Sequence, residues 1–462
     1  MKEGLPTAGA AAMLMLAVST AGGVEATVFR LKKTAESVVD PAALVYTKDA
    51  WGTCPNGKAF QQDGIASYDG WQYATWWDGE RRLCIGRRKL PGTRWETIRF
   101  NDYRHRGTDT HNVSVLGICP KDGTIHLAFD HHVQPLHYRV SRRGVATDGD
   151  TVKWTADLFG PVTSKLNADG RPLKAVTYPR FLVTPRGGLQ LFRRLGTCGD
   201  AECVLYEYDP ANGRWKTLGA VTSRKGDYHG SRSRYSYLNG ADYDAKGRLH
   251  LTWCWRESGS PMTNHDICYA YSDDRGRTWL NNAGERVGAT GRKPIRVDPP
   301  GITVWEIGQR RGLINSTCQA VDSQRRVHVV TWHVPPDGPR AKSWKEAQRR
   351  RRYYHYWRGT DGTWYRGPVD PKVVGAGSRP KILFDRQDNL YLVFSVSVAV
   401  ARAAGGWKDW SVAFAEPGAF LSQPLIDTRR WRDEGVLSIY AQRRGDKRGA
   451  PTPLCVVDLK PQ

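Results

Sequence analysis

The sequence DAKGRLHLTWCW (Asp244–Trp255) joins a tight turn to an alternating strand, and the same pattern recurs along the chain. Asp and Gly favour turns, and alternating apolar residues are typical of a strand that buries one face. Six further copies are present: SYDGWQYATWW (67–77), PKDGTIHLAFD (120–130), TPRGGLQLFRR (184–194), DSQRRVHVVTWH (322–333), DRQDNLYLVFSV (385–396) and RDEGVLSIYAQ (432–442). The chain therefore contains seven related units.

The distance between copies is too long for one strand pair and suits a four-stranded unit with insertions. We therefore predict an all-β fold, a seven-bladed β-propeller with four-stranded antiparallel blades, as a single domain over residues 27–462. The 18 Trp, 20 Tyr and 48 Gly, with only 4 Met, agree with aromatic strands joined by glycine turns. Because a closed ring leaves no terminal blade exposed, we expect the two chain ends to meet in or beside one blade.

The segment SDDRGRTW (Ser272–Trp279) has the Ser-x-Asp-x-Gly-x-Thr-Trp form of the Asp-box hairpin found in sialidase-like propellers. Its Asp and Gly suit a tight turn, and its Trp provides an apolar anchor. We interpret this segment as a folding device at a blade edge, without a catalytic role.

Residues 1–26 have the pattern of a secretory signal, with an early lysine, an apolar stretch and a small-residue ending at Ala26. The apolar stretch is too short to span a membrane, and no later segment is apolar enough, so we predict no membrane insertion. We expect a secreted or periplasmic protein.

The formal net charge of +23 and the pI of about 9.7 predict attraction to a polyanion. The run RRRRYYHYW (Arg349–Trp357) mixes cations with aromatics, but no nucleic-acid-binding fold signature surrounds it. We therefore favour an acidic polysaccharide over nucleic acid as the partner.

A basic insertion at about 335–352 exceeds a minimal blade and would lengthen a substrate groove or serve a partner. The sequence leaves the oligomeric state open.

Nine cysteines in an exported chain permit disulfides, and the spacing of Cys198 and Cys203 suits a bridge across a tight loop. His250, Cys268 and His333 are candidates for holding a structural metal ion, although they lack the compact spacing of a zinc knuckle.

Histidines are concentrated in DTHNVSVLGICPKDGTIHLAFDHH (Asp109–His132). His111 precedes one predicted strand, and His131 and His132 follow the end of the next. Loops at strand ends carry binding residues in many folds, so these histidines are candidates for one pocket.

His126 lies inside the second of these strands, and His250 and His328 take the same place in two other repeats. Because the position recurs, we interpret these three histidines as hydrogen-bonded structural residues.

Further along the chain, Tyr178 lies in VTYPRF, Arg194 in LFRRLG, Tyr237 in YSYLNGADYD and Arg256 in WCWRESGS. A histidine base, a tyrosine acid and cations for a carboxylate are the groups needed to eliminate across C4 and C5 of a uronic acid. The cations stabilise the charge that develops on the carboxylate when the C5 proton is removed. This chemistry requires no cofactor.

Five segments resemble the BNR-repeat family that contains the seven-bladed ulvan lyases and, with them, gum-arabic rhamnosidases. They are FQQDGIASYDGWQYATWW (60–77), DTHNVSVLGICPKDGTIHLAFDHH (109–132), TYPRF (177–181), YLNGADYDAKGRLHLTWCWRE (237–257) and NHDICYAYSDDRGRTW (264–279). The resemblance implies a polysaccharide lyase that cleaves an acidic, uronate-containing polymer such as ulvan by β-elimination.

The resemblance also implies roles for single residues. His111 would be the base and Tyr178 the acid, and the two exchange with substrate stereochemistry. His131 and Arg194 would neutralise the substrate carboxylate. Asn112, which follows His111 in the motif, and also Tyr237 and Arg256 would bind substrate.

Other functions remain open at this point. In the exo-acting rhamnosidases of the same family, a histidine on the opposite propeller face is the catalytic residue. The corresponding segment here, AFQQDG (59–64), has Gln61 and Gln62 and no histidine, which counts against a hydrolase. A sialidase would begin with a Phe/Tyr-Arg-Ile-Pro motif, which VFRLKK (28–33) lacks. A non-catalytic carbohydrate-binding propeller would keep the same pocket and leave the glycan intact.

Overall fold

The computed structural model describes residues 29–47, 52–374, 379–421 and 423–462, and these residues form seven antiparallel sheets arranged as a seven-bladed β-propeller. The predicted fold class is therefore confirmed. The predicted signal segment, residues 1–26, lies outside the described residues.

The blades are numbered along the chain. Blade 1 consists of Ile65–Tyr68, Trp71–Trp77, Arg82–Lys89 and Glu96–Arg104. Blade 2 consists of Ser114–Cys119, Thr124–Phe129 and Tyr138–Val140. Blade 3 consists of Val176–Val183, Leu189–Thr197, Asp200–Asp209 and Arg214–Thr222, with His132–Gln134 added beside its first strand. Blade 4 consists of Tyr235–Tyr243, Leu249–Arg256, Asn264–Ser272, Thr278–Leu280, Arg286–Ala289 and Thr303–Trp305.

The later blades are more regular. Blade 5 consists of Cys318–Val321, Val327–His333, Arg352–Arg358 and Trp364–Pro368. Blade 6 consists of Lys381–Phe384, Leu390–Phe394, Ser397–Ala401 and Ser411–Ala415. Blade 7 consists of Leu425–Ile426, Leu437–Gln442, Thr452–Pro461 and Leu31–Ala43. Among the described residues, blades 1, 5, 6 and 7 thus have the four strands predicted, whereas blades 2, 3 and 4 have three, five and six.

Among the described residues, helical structure is limited to short segments. The α-helices are Trp344–Arg350 and Thr428–Glu434, and the 3-10 turns are Ala156–Leu158, Pro261–Thr263 and Pro371–Val373. In the part of the chain that the structure describes, no helix combines the length and apolar character needed to cross a membrane.

Each repeat copy forms a turn and the second strand of one blade. In blade 4 the Asp244 carboxylate accepts hydrogen bonds from the backbone N–H groups of Lys246 and Arg248, both at 2.9 Å, which fixes the turn. Blade 7 departs from the pattern because the helix Thr428–Glu434 precedes its second strand. Gly435 ends that helix with a φ of 66°, a conformation that costs glycine little.

The strand histidines of three repeats are buried and hydrogen-bonded, in agreement with the structural interpretation. In blade 4, His250 contacts the turn carboxylate of Asp244 at 3.3 Å and the hydroxyl of Tyr269 at 2.9 Å. The equivalent sets are Asp122, Thr124, His126 and Tyr138 in blade 2, and Asp322, His328 and His355 in blade 5.

The apolar core is divided among the contacts between blades. Seven clusters of buried side chains each join two neighbouring blades, including the last and the first. In one of them Trp279, the last residue of the Asp box, is fully buried with Leu205 of blade 3 and Leu249 of blade 4. Since each blade buries its faces only against its neighbours, the core holds the ring closed.

The first and last strands of the described residues both lie in blade 7, as predicted, because Leu31–Ala43 pairs antiparallel with Thr452–Pro461. A buried ion pair joins this blade to blade 1: Arg88 and Asp458 approach to 2.8 Å. Arg430 also contacts Asp458, at 2.8 Å. Removal of Asp458 would leave the buried charge of Arg88 uncompensated, which typically costs about 3–5 kcal/mol.

The basic insertion is an ordered part of the fold. It connects the second and third strands of blade 5 and contains the helix Trp344–Arg350, which Ser343 caps by accepting a hydrogen bond from the Glu346 N–H at 3.2 Å. Ala341 and Ala347 are buried beside Val334.

All nine cysteines are unpaired, so the predicted Cys198–Cys203 bridge is wrong. Cys203 lies within a strand, opposite Arg194, and its side chain is buried between blades 3 and 4. Cys198 lies in the preceding turn and remains partly exposed.

Candidate active site

The candidate site residues come from three neighbouring blades and lie at one end of their strands. His111 precedes the first strand of blade 2, and His132 follows its second strand. Tyr178 is near the start of the first strand of blade 3, Arg194 is near the end of its second strand, and Arg256 ends the second strand of blade 4. Because adjacent strands are antiparallel, the start of each first strand and the end of each second strand meet at the same edge.

The centre of the site is a carboxylate that contacts two histidines. Asp109 Oδ1 lies 2.6 Å from His111 Nδ1, and Asp109 Oδ2 lies 2.5 Å from His132 Nδ1. The backbone N–H of His111 also donates to Asp109 Oδ1, at 2.9 Å. The two imidazole rings stack with centroids 4.3 Å apart. The side chains of His111, His132 and Asp109 are 17%, 21% and 30% exposed, so solvent reaches the cluster.

The pKa values of the three groups are shifted in different directions. Burial favours the protonated form of Asp109, but the hydrogen bonds to both histidines outweigh it and hold its pKa far below the ordinary value. Burial lowers the pKa of His111 to about 4, although the bond to Asp109 opposes this shift. Burial also disfavours charged His132, yet its hydrogen bonds with Asp109 and Cys198 raise its pKa overall. At neutral pH, His111 is therefore an unprotonated base beside a histidine that holds its proton more strongly.

The structure places His132, and not His131, in this cluster, which corrects the assignment made from the resemblance. His131 is 1% exposed, and its Nε2 accepts a hydrogen bond from the backbone N–H of His137 at 2.8 Å. Asp130, directly after the strand, has a φ of 60°, which interrupts the strand alternation before the two histidines. His132 then pairs with Thr177 of blade 3 and faces the site.

Tyr178 lies on an irregular part of its strand. Its φ of 52° is in the left-handed region, and the strand register shifts between Thr177 and Arg180. Such a conformation costs on the order of 1–3 kcal/mol and re-aims the side chain. The ring lies 6.0 Å from that of His111 and 5.2 Å from that of Phe60, centroid to centroid. Burial raises the pKa of Tyr178, although the charge of Arg194 opposes the shift, so the hydroxyl keeps its proton at neutral pH.

Arg194 lies beneath the site, fully buried. Its guanidinium carbon is 5.1 Å from the centre of the Tyr178 ring, and its Nη2 donates to Thr177 Oγ1 at 3.1 Å. Its Nη1 donates to the hydroxyl of Tyr237 at 3.4 Å. The structure therefore places Arg194 beside Tyr178, behind its ring and away from solvent.

Tyr237 and Arg256 continue the site towards blade 4. The Tyr237 ring is also buried, and its hydroxyl accepts a hydrogen bond from Arg256 Nη1 at 3.2 Å and donates to Cys198 Sγ at 3.4 Å. Arg256 itself is partly exposed and also donates to the backbone oxygen of Ser260 at 3.2 Å. Of these groups, Arg256 is the cation that can meet a substrate.

Cys198 is a member of the site that the sequence did not indicate as such. A hydrogen bond with His132 lowers the pKa of its thiol to about 6, with Tyr237, Arg194 and Arg256 acting in the same direction and burial acting against them. At neutral pH the group is thus largely a thiolate, with Arg194 Nη1 at 3.7 Å from its sulfur.

Asn112 is buried and has a structural part in the same loop. Its backbone oxygen accepts a hydrogen bond from Trp77 Nε1 at 2.9 Å, and its backbone N–H donates to Asp109 O at 3.2 Å. The sequence did not single out Asp109, although an Asp side chain often accepts a hydrogen bond from the backbone N–H two residues later in a turn, as Asp109 does here. Arg379 of the loop before blade 6 was also missed, and its charge opposes protonation of both His111 and Tyr178. No signal marked it, because it lies outside the family resemblance.

One group of the described residues has the spacing of metal ligands, namely Asp109, His111 and His132, whose ligand atoms lie within 4.8 Å of one another. Imidazole and carboxylate suit Zn²⁺ and related ions. The candidates named from sequence are engaged elsewhere: His250 contacts Asp244 and Tyr269, and His333 Nε2 lies 2.7 Å from the Tyr356 hydroxyl. Cys268 Sγ lies 3.8 Å from Thr303 Oγ1.

Comparison with known proteins gives a consistent result. The model of a family described as BNR repeat-containing family member matches residues 71–370. The long isoform of ulvan lyase from Alteromonas sp. is 25% identical over 265 residues, which is 48% of this chain and 26% of that protein. The chain thus aligns with about a quarter of the length of that relative.

Two further matches cover nearly the whole chain. The short isoform of ulvan lyase from Alteromonas sp. (strain LOR) is 22% identical over 86% of this chain and 81% of that protein. The crystal structure of polysaccharide lyase Uly1 superimposes with a TM-score of 0.74 and 19% identity, covering 93% of this chain and 99% of the other. This structural likeness shows the shared propeller fold.

Proposed function

The chain belongs to the BNR repeat-containing family, and from that premise we propose that it is a polysaccharide lyase. Its substrate is an acidic, uronate-containing polysaccharide such as ulvan, which it cleaves by β-elimination. The observation that carries the proposal is the pairing of His111 and Tyr178, with ring centroids 6.0 Å apart at the partly exposed end of the blades. Burial shifts the pKa values of the two groups in opposite directions, to the forms that a base and an acid need.

In the proposed reaction His111 removes the proton from C5 of the uronate. The electrons of the C5–H bond form the C4–C5 double bond, and the C4–O bond breaks. Tyr178 gives its proton to the leaving glycosidic oxygen, and exchange with solvent restores both residues. Asp109 holds the His111 ring through Nδ1, as an orienting carboxylate does in other catalytic histidine pairs. The two roles exchange for a uronate of the opposite C5 configuration.

Removal of the C5 proton puts negative charge on the neighbouring carboxylate, which must be neutralised. His132, whose raised pKa favours its protonated form, and the partly exposed Arg256, which donates to the Tyr237 hydroxyl, fit this role. Arg194 is buried and acts as a positioning residue, because its charge favours the tyrosinate that Tyr178 becomes during proton transfer. This sequence of steps calls for no metal or other cofactor.

Substrate class and location follow from charge and relatives. Two matched proteins are named ulvan lyases, and the net charge of +23 favours a polyanionic chain. The pattern of residues 1–26 supports export, which would bring the protein to an extracellular polymer.

The test is incubation of the purified protein with ulvan, other uronate polymers and a rhamnose-capped gum, followed by ultraviolet absorbance and product analysis. We expect the absorbance of the unsaturated uronate to rise with ulvan. Release of rhamnose without that absorbance would replace the lyase by an exo-acting hydrolase. Binding without any product would leave a carbohydrate-binding propeller.

A further inference from the structure

A second concave region lies on the opposite face of the propeller from the candidate active site. It is an open groove of about 530 Å³, formed by turns of blades 2, 3 and 4. Leu189 lines it at the start of the same strand that carries Arg194 towards the active site. At about 3.3 Å per residue, the two ends of this strand section are separated by roughly 16 Å of protein. We call this region the opposite groove.

The opposite groove is strongly basic. Five cations line it: Lys121, Arg186, Arg214, Lys216 and Arg275. The carboxylates among its lining residues are Glu207 and Asp209. The groove therefore carries a net positive charge.

Three of these cations have no ion-pair partner among the described residues, namely Lys121, Arg186 and Lys216, and all three are exposed. In contrast, Arg214 pairs with Asp169 at 2.8 Å, and Arg275 lies 3.4 Å from Glu207. Unpaired cations that share a concave surface repel one another, and an anionic ligand relieves that repulsion.

The floor of the opposite groove is fixed before any ligand arrives. The hydroxyl of Tyr208 donates to Asp122 at 2.9 Å, and Trp215 Nε1 donates to Tyr138 at 3.1 Å. Asn167 exchanges two hydrogen bonds with the backbone of Trp215, both at 2.8 Å. A preformed surface of this size, within the range of about 300–1,000 Å³ for ligand pockets, binds without a large ordering cost.

The described lining of the opposite groove does not support catalysis. It contains no histidine or cysteine, and both carboxylates are engaged: Glu207 with Arg275 and Arg277, and Asp209 with the side chain of Asn212. A pair of carboxylates free to act as acid and base, which glycoside hydrolysis requires, is not present among these residues. The region is therefore suited to binding alone.

We propose that the opposite groove is a secondary binding site for a segment of anionic polysaccharide, held by Lys121, Arg186 and Lys216. The choice of ulvan as the polymer rests on the proposed function. The preference for a sugar chain with sulfate and carboxylate groups rests on the unpaired cations of the opposite groove. A long chain held there stays close to the active site on the other face, so its effective concentration is raised. A fragment of a few sugars cannot reach both sites and gains nothing.

The test measures binding and does not depend on turnover. In the His111→Ala background, the dissociation constant for ulvan is measured by calorimetry for Lys121→Ala/Arg186→Ala/Lys216→Ala and for the matched control Lys153→Ala/Lys372→Ala/Lys447→Ala. Both triple variants lose three exposed cations, and the control residues lie outside the groove. We expect the groove variant to bind ulvan on the order of tenfold more weakly, with a smaller dependence on salt, and the control to be unaffected.

Equal affinities of the two triple variants would overturn the proposal. So would a double-stranded DNA probe that binds as tightly as ulvan and loses affinity equally in the groove variant, because the region would then be a general polyanion surface. A wild-type protein that makes no unsaturated product would refute the proposed function, and the binding measurement would still decide the groove.

Discussion

Histidine–aspartate pairs occur at both ends of the propeller blades, in different surroundings. At one end His250 contacts Asp244, and both side chains are almost completely buried, at 3% and 1% exposure. At the other end His111 contacts Asp109, and both remain accessible to solvent. The buried arrangement recurs in blade 5, where His328 contacts its turn carboxylate.

A histidine that recurs at one place in several blades meets a requirement of the blade itself, here to connect a turn with the third strand. In the described part of the chain the Asp109 cluster is the one group with this spacing, and it lies in a loop outside the repeated segments, where the blade does not constrain its residues. A histidine cluster that lies outside the repeat and also remains accessible to solvent therefore indicates function more strongly than the residue type does.

Substitution of one histidine from each pair should separate their effects on the reaction rate from their effects on stability. His111→Ala should lower the rate of unsaturated product formation by about 10²–10⁴-fold, because the base is lost, with little change in thermal stability. His250→Ala should instead leave a buried carboxylate and hydroxyl without their partner, costing about 1–3 kcal/mol, while the folded protein stays active. Initial rates and denaturant unfolding of both variants measure this; a fully active His111→Ala protein would remove His111 from the mechanism.

The next prediction concerns the neighbouring histidines of blade 2. His132→Ala should lower the rate by about 10–100-fold, since one cation near the substrate carboxylate is lost. His131→Ala should mainly reduce stability, because His131 is buried and accepts a hydrogen bond from the His137 N–H. A His131→Ala protein that loses activity but keeps its stability, together with a fully active His132→Ala protein, would restore the assignment of His131 to the substrate carboxylate.

The reactivity of its thiol should distinguish Cys198 from the buried cysteines. Iodoacetamide should label Cys198 alone, because the pKa values of the other eight cysteines are raised by burial. The thiolate is the reactive form, so the labelling rate should rise as the pH passes about 6, the pKa of Cys198, and then level off. Mass spectrometry across pH measures this profile, with Cys198→Ser as the unlabelled control. A rate still rising above pH 8 would mean that the contacts with His132 and the arginines are absent in solution.

The smallest expected effect tests whether the Asp109 cluster holds a metal for catalysis. Prolonged treatment with a chelator should leave the rate of elimination unchanged, because the proposed chemistry uses proton transfer and fixed cations only. Loss of activity that added Zn²⁺ restores would place a metal in the mechanism. The His250→Ala variant is the reference for this comparison, because loss of the buried pair of His250 and Asp244 should act through stability alone.

Much of the site was predictable because its residues belong to short motifs. His111, Tyr178 and Arg256 were named from sequence, and the structure brings them to one end of the blades. The choice between His131 and His132 was not predictable, since a single residue with positive φ, Asp130, reverses which histidine faces the site. The burial of Arg194 was also not predictable from the sequence, because strand alternation indicates which face a side chain is on and not how deeply it is buried.

The sequence alone determined the propeller and the number of its blades. Alternation along each strand and the turn residues at fixed offsets are local properties, and seven local copies are enough to require a closed ring. How residues from different blades meet depends on the folded arrangement of the blades. The contact of Asp109 with His132, the place of Cys198 among cations and the basic opposite groove depend on the packing angle between blades and on loop conformation. Such contacts join residues far apart in the chain, so no local pattern in the sequence encodes them.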